Sequence, residues 1–259
     1  MSRFARIMAV LTLVFGLVTI AAAAAYALVG SLTTAHRTTP VYDPPVLAGQ
    51  HLWGPWGPCS GGVYARFDNK IVLTTSSHCA SEGAQITEPD SSVVAGVLGP
   101  AARSASCPYA DHTCAASDMA YLVVAADRIP WGHLDQIDMG VGGYRTIAPG
   151  SVALSCEDIE LGDPVEIDGR GIYRNGHVVE KSNNLKPAAQ DPAYFPCMIA
   201  AHISVGIGDS GGVVLVRGIP AGVTSRSFGG LLGFTPLREG LNELGLTMCD
   251  TPDCGLARP

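Results

Sequence analysis

The apolar positions of this chain follow two patterns. Residues 7 to 29 form an unbroken stretch of 23 residues without a charge, whereas beyond it valine, isoleucine and leucine come in short runs cut by glycine, proline and aspartate. The long stretch is sufficient to cross a bilayer as a helix. The short runs read as strands: residues 71–75 (Ile-Val-Leu-Thr-Thr) end in small polar residues, and a second run over 119–124 follows Asp118. Near the C-terminus, Leu237, Leu241 and Leu244 stand at helical spacing, which predicts a short closing helix over 236–246. Residues 30–55 carry Ser, Thr, Gly, Pro40, Pro44 and Pro45 without periodicity and read as a linker, with Trp53 and Trp56 packing it onto the globular unit.

Composition narrows the class. With 259 residues and 47% hydrophobic content, about 200 residues remain for one globular unit after the N-terminal segment is set aside. Thirty-one glycines, 18 prolines and only 15% charged residues favour strands and turns, so the predicted fold is mainly β. The expected organisation is an N-terminal hydrophobic helix at 1–32, a linker at 33–55, a catalytic domain at 56–248 and a tail at 249–259. The net charge of −7 becomes −9 without Arg3 and Arg6, which argues against a nucleic-acid partner. All eight cysteines lie beyond the apolar stretch and fit an oxidising compartment. Two readings of the N-terminus stand. It is an uncleaved anchor with Arg3 and Arg6 in the cytoplasm, or a signal peptide cut at Ala25-Tyr26-Ala27. Both place the remaining chain outside the cytoplasm.

No metal or cofactor is expected. Cys107, His112 and Cys114 lack zinc-site spacing and a second ligand pair, and the acidic positions 157, 158, 160, 163 and 166 lack a calcium-loop pattern. His51, His133, His177 and His202 belong to no motif. Chemistry concentrates instead at Gly206-Ile207-Gly208-Asp209-Ser210-Gly211-Gly212. Flanking glycines permit positive φ, so the amides of Gly208 and Ser210 can converge on one developing negative charge. A serine needs a base to take its proton. His78 ends the first strand-like run, and Asp118 opens the second.

The order His78, Asp118, Ser210 has spacings of 40 and 92 residues, against about 45 and 93 in chymotrypsin. Thr75-Ser76-Ser77-His78-Cys79 resembles T-A-A-H-C, Ser117-Asp118-Met119-Ala120 resembles the D-I-A-L segment, and residues 208–212 match G-D-S-G-G. Cys59-Ser60-Gly61-Gly62 stands where C-G-G is usual, and Ala221-Gly222-Val223-Thr224-Ser225 and Gly233-Phe234-Thr235-Pro236-Leu237 resemble the substrate strand and the lead into the last helix. The chain thus resembles the chymotrypsin-like (trypsin-like, S1-type) serine proteases over about residues 56–247, in the bacterial secreted or membrane-anchored style.

The resemblance implies a double β-barrel, the first over about 56–126 and the second over about 140–234, with a peptide substrate in the cleft between them. It implies Ser210 as nucleophile, His78 as general base, Asp118 as its orienter, and Gly208 and Ser210 as oxyanion donors. Ser204, Ser225, Arg226 and Ser227 would line the substrate groove. Ser204 stands where trypsin-like members place an aspartate, so Lys or Arg specificity is not implied, and Arg226 would favour an acidic side chain. Resemblance and chain order suggest Cys59–Cys79, Cys107–Cys114, Cys156–Cys197 and Cys249–Cys254. The nearest approach to an I-V-G-G start is Val46-Leu47-Ala48-Gly49 after Pro45, a poor cleavage site for a trypsin-like activator. Asp209 therefore needs another cation or a set of hydrogen bonds; an internal arginine is expected, with Arg145 as the candidate. A silent binding protein and an esterase with the same triad are the alternatives.

Overall fold

The computed structural model describes residues 45–89, 93–102, 113–115, 117–182 and 193–257. The apolar segment at 7–29, Cys107 with its expected bridge, and His112 lie outside them. Among the described residues no helix is long and apolar enough to cross a membrane. The first half contributes β1 (His51–Gly54), β2 (Gly57–Ser60), β3 (Tyr64–Phe67), β4 (Lys70–Thr75), β5 (Gln85–Thr87), β6 (Val94–Ala101), β7 (Thr113–Cys114) and β8 (Ala120–Val124). A hairpin of β9 (Gln136–Asp138) and β10 (Tyr144–Thr146) leads into the second half. That half comprises β11 (Pro164–Gly169), β12 (Ile172–Ser182), β13 (Ala193–Tyr194), β14 (Met198–Ser204), β15 (Val213–Val216), β16 (Ile219–Phe228), β17 (Leu231–Pro236), helix α1 (Leu237–Leu244) and β18 (Thr247–Met248).

The two halves close differently. Strands β11, β12, β14, β17, β16 and β15 form a closed barrel. The first half is an eight-stranded sheet in the order β18-β3-β4-β8-β6-β5-β1-β2, so the first of the two expected barrels is a sheet ending on β18 and β2. Pro58 lies on β2, and a residue without an amide proton suits an edge. Strands β4 and β8 match the runs read at 71–75 and 119–124. β4 is buried on both faces from Ile71 onward, which the apolar Ile71, Val72 and Leu73 permit, while the hydroxyls of Thr74 and Thr75 donate to the Val63 and Ser60 carbonyls. One core gathers Leu73 and Leu122 with Val223 and Leu237 of the other half, and Phe234 centres a second core inside the closed barrel.

The linker expectation is corrected at 45–55. Val46 and Leu52 are fully buried, the Val46 amide donates to the Arg128 carbonyl at 2.9 Å, and the Tyr64 hydroxyl donates to the Val46 carbonyl at 2.5 Å. The expected packing role of the tryptophans is also corrected: Trp53 is 48% and Trp56 65% exposed. Strand alternation explains Trp53, because Leu52 and Gly54 take the inner face. The tail is docked as well, with Cys249 bridged to Cys254 and the amides of Gly132 and Leu134 donating to the Pro252 carbonyl. If 45–55 belongs to the fold, Leu52→Ala removes a buried side chain and costs about 2–5 kcal/mol. Denaturant unfolding measures this; an unchanged midpoint would mean the segment is a tether.

Candidate active site

The ends of β4 and β8 bring His78 and Asp118 together, because Thr75 pairs with Ala120 in an antiparallel register. His78 leaves β4 on a single turn over Ser77–Cys79, tied by the Cys59–Cys79 disulfide. His78 Nδ1 lies 2.6 Å from Asp118 Oδ2, and His78 Nε2 lies 2.9 Å from Ser210 Oγ. The three side chains thus form one hydrogen-bonded line. Asp118 is fully buried and accepts from the Ser225 hydroxyl (2.6 Å), the Ser77 amide (3.1 Å) and the Ser77 hydroxyl (2.5 Å). Burial alone would raise its pKa, but the His78 charge and the donors from His78, Ser225 and Ser77 prevail and hold it well below the usual carboxylate range.

The loop carrying Ser210 is fixed from beneath. Ser60 is buried; its amide donates to the Ser210 carbonyl (2.7 Å), and its hydroxyl donates to the Gly208 carbonyl (2.8 Å) and accepts from the Arg170 amide (3.0 Å). Gly208 has φ +99°, and a Cβ there would stand 2.7 Å from Arg170 Cδ. At Gly211, φ is +90° and a Cβ would meet the Ser60 carbonyl at 2.2 Å. Only glycine fits either position. Among the described residues neither the Gly208 amide nor the Ser210 amide donates a hydrogen bond.

Asp209 is 1% exposed, and the cation expected for it is corrected. Arg174 grips it with two bonds, Nη2 to Oδ1 at 2.7 Å and Nη1 to Oδ2 at 2.8 Å. Arg170 Nε reaches Oδ1 at 3.1 Å, and the Gly206 amide donates to Oδ2 at 2.7 Å. Burial works against ionisation, and these arginines and the amide outweigh it, so the pKa falls. Arg145 sits on β10 and pairs with Glu166 instead, at 2.9 Å. Sequence reasoning misses Arg170 and Arg174 because only the β11–β12 hairpin, with Ile167 opposite Arg174, directs them inward. Gly169-Arg170-Gly171 between two alternating runs is the hairpin signal that could have located them.

The other expected groove residues separate. A cavity of about 300 Å³ beside Ser210 is lined by Gly206 and Ile207 on one side and Thr224, Arg226 and Ser227 on the other. Ser225 is corrected: its hydroxyl is turned to Asp118 and is buried. Ser204 adjoins Val205 of the cavity wall, and its carbonyl accepts from Arg174 at 3.1 Å. Cys156–Cys197 and Cys249–Cys254 are bridged. In the acidic stretch, Asp158 pairs with Arg238 and Asp163 with Arg217.

The comparisons with known proteins bear on the fold. Neither a protein-family model nor a curated protein matches the chain. Among solved structures it is similar to Cellulomonas bogoriensis chymotrypsin, at 22% identity and a TM-score of 0.59 over 80% of this chain and 100% of that one. Thermobifida fusca protease A matches at 21% and 0.59, over 79% and 98%. A serine protease specific for glutamic acid, which uses a histidine triad in substrate binding, matches at 21% and 0.60, over 78% and 100%. The architecture is that of the bacterial chymotrypsin-like serine proteases.

One buried acid stands beside this site without a role in it. Asp168 on β11 is fully buried, and neither of its oxygens meets a well-aligned donor among the described residues, the Gly169 amide being a weak one. Burial, then the charges of Asp138 and Asp209, push its pKa up to about 7 against the pull of Arg174. A carboxyl raised in the folded state keeps its proton between about pH 4 and 7 while the unfolded chain loses it, so its contribution to stability is complete below about pH 4 and lost as pH rises through 7. Asp168→Asn therefore gains stability relative to the parent at pH 8 compared with pH 4, as read from melting temperatures at both. A pH-independent difference would contradict the assignment.

Proposed function

We propose that the chain is a serine endopeptidase working outside the cytoplasm through His78, Asp118 and Ser210. The observation that carries this reading is the continuous line from Ser210 Oγ through His78 to a fully buried, fourfold hydrogen-bonded Asp118. In the proposed reaction His78 Nε2 takes the Ser210 proton as the oxygen attacks the scissile carbonyl. Asp118 holds the imidazole with its proton on Nδ1 and stabilises the imidazolium. The amides of Gly208 and Ser210, which have no acceptor among the described residues, receive the oxyanion. His78 then gives the proton to the leaving amine, and water hydrolyses the acyl-enzyme by the reverse path.

The same reading extends to the substrate. Within the cavity wall Asp209 is neutralised by two arginines, while Arg226 presents a guanidinium 5.4 Å from the Phe195 ring. A guanidinium on the wall favours an acidic side chain next to the scissile bond. The glutamic-acid-specific neighbour uses histidines for its substrate; among the described residues the wall here holds no histidine, and Arg226 takes the corresponding electrostatic part. The disulfides among the described residues suit an oxidising, extracytoplasmic setting.

Profiling a peptide library with the parent, Ser210→Ala and Arg226→Ala chains tests both parts. The parent is expected to cleave peptides and to be labelled by a fluorophosphonate, and Ser210→Ala to lose labelling and at least about 10⁴-fold in rate. Arg226→Ala is expected to reduce the acidic-over-neutral ratio about tenfold. Labelling that survives Ser210→Ala would refute the nucleophile, ester cleavage without peptide cleavage would make the chain an esterase, and an unmoved ratio would refute Arg226.

A further inference from the structure

We infer that Ser77 is a positioning residue whose hydroxyl sets both the orientation of Asp118 and the basicity of His78, an inference that rests on the proposed hydrolase reading. Ser77 and Ser76 stand where the resembled family carries two alanines. Both hydroxyls are in use. Ser76 donates to the Thr224 carbonyl at 2.7 Å, tying the histidine turn to β16 in the closed barrel. Ser77 donates to Asp118 Oδ1 at 2.5 Å, the shortest of the four contacts that this carboxylate accepts.

The four contacts divide evenly between the two oxygens. Oδ2 receives His78 Nδ1 and the Ser225 hydroxyl, and Oδ1 receives the amide and the hydroxyl of Ser77. Ser77 and His78 are neighbours on one turn, so that turn grips both oxygens of the carboxylate and fixes its rotation about the side-chain axis. Without the hydroxyl, only a 3.1 Å amide contact would remain on Oδ1.

The electrostatic consequence has a definite sign. Each donor withdraws charge from the carboxylate and weakens its stabilisation of the imidazolium. The groups facing Asp118 are Ser77 and His78 from the turn after β4, Ser225 from β16 and Thr235 from β17; His78 is the titratable one among them. Removing the Ser77 hydroxyl therefore concentrates charge on Asp118, favours protonated His78, and moves the acid limb of kcat/KM to higher pH. The Ser77 hydroxyl keeps the base unprotonated over a wider acidic range and holds it in line.

The test is the pH profile of the full chain on a cleaved peptide, with a second readout that does not need turnover. Ser77→Ala is expected to raise the acid limb by roughly 0.3 to 1 pH unit and to lower plateau kcat about 3- to 30-fold, with KM changed less than about twofold. Ser77→Thr, which keeps the hydroxyl, is expected to hold the parent limb. In the Ser210→Ala background, NMR titration of His78 reads the same shift without catalysis, so inactivity of the parent would defeat the hydrolase reading while leaving this one measurable. If Ser77→Ala does not fold, Ser77→Cys, with its weak donor, is expected to shift in the same direction. A His78 titration and an acid limb unmoved by loss of the hydroxyl, or a limb displaced equally by Ser77→Thr, would overturn the assignment.

Discussion

A carboxylate buried to 1% exposure cannot remain charged without partners, and the second half of this molecule is arranged around meeting that demand at Asp209. Arg174 supplies a bidentate grip, Arg170 a third bond and the Gly206 amide a fourth. Both arginines come from the β11–β12 hairpin. The hairpin turn therefore fixes the floor beneath residues 206–212, and Ser60 fixes the same loop from the other half of the chain. Asp209 is flanked by Gly208 and Ser210, so the constraint on its side chain becomes a constraint on the two amides proposed as oxyanion donors.

The cation is internal, and the start of the domain agrees with this. Val46 is buried in a continuous chain with its amide bonded to Arg128. In the proposed enzyme the ion pair at Asp209 forms as the chain folds, without a liberated amino terminus. Hydroxyls complete the registration between the halves. Ser60 reaches Gly208, Ser76 reaches Thr224, and Ser225 and Ser77 meet on Asp118. Short side chains lose little rotamer freedom when ordered, so they hold a cleft at small entropic cost.

The parts of the molecule written in local pattern were legible in the sequence. Strands β4 and β8 come from β-branched and apolar runs, α1 from leucines at helical spacing, and His78, Asp118 and Ser210 from motifs whose order fits one line of hydrogen bonds. What escaped depends on long-range register. Arg174 faces Asp209 only because β12 folds back on β11, whereas Arg145, on β10 outside the closed barrel, is drawn to Glu166. Residues 46–54 lack a clear period, yet Val46 and Leu52 fill the first core because β1 pairs with β2 and β5. Position alone assigns Ser225 to the groove; the direction of its hydroxyl is set by Asp118, which no local pattern encodes.

The most direct test is the acylation burst of a chain shown by mass spectrometry to be intact through residues 45–50, with and without Arg174→Met. If internal arginines shape the site, the intact parent gives a burst close to one equivalent and Arg174→Met gives almost none while remaining folded. A burst that appears only after cleavage within residues 45–50, or one that persists undiminished in Arg174→Met, would contradict the account.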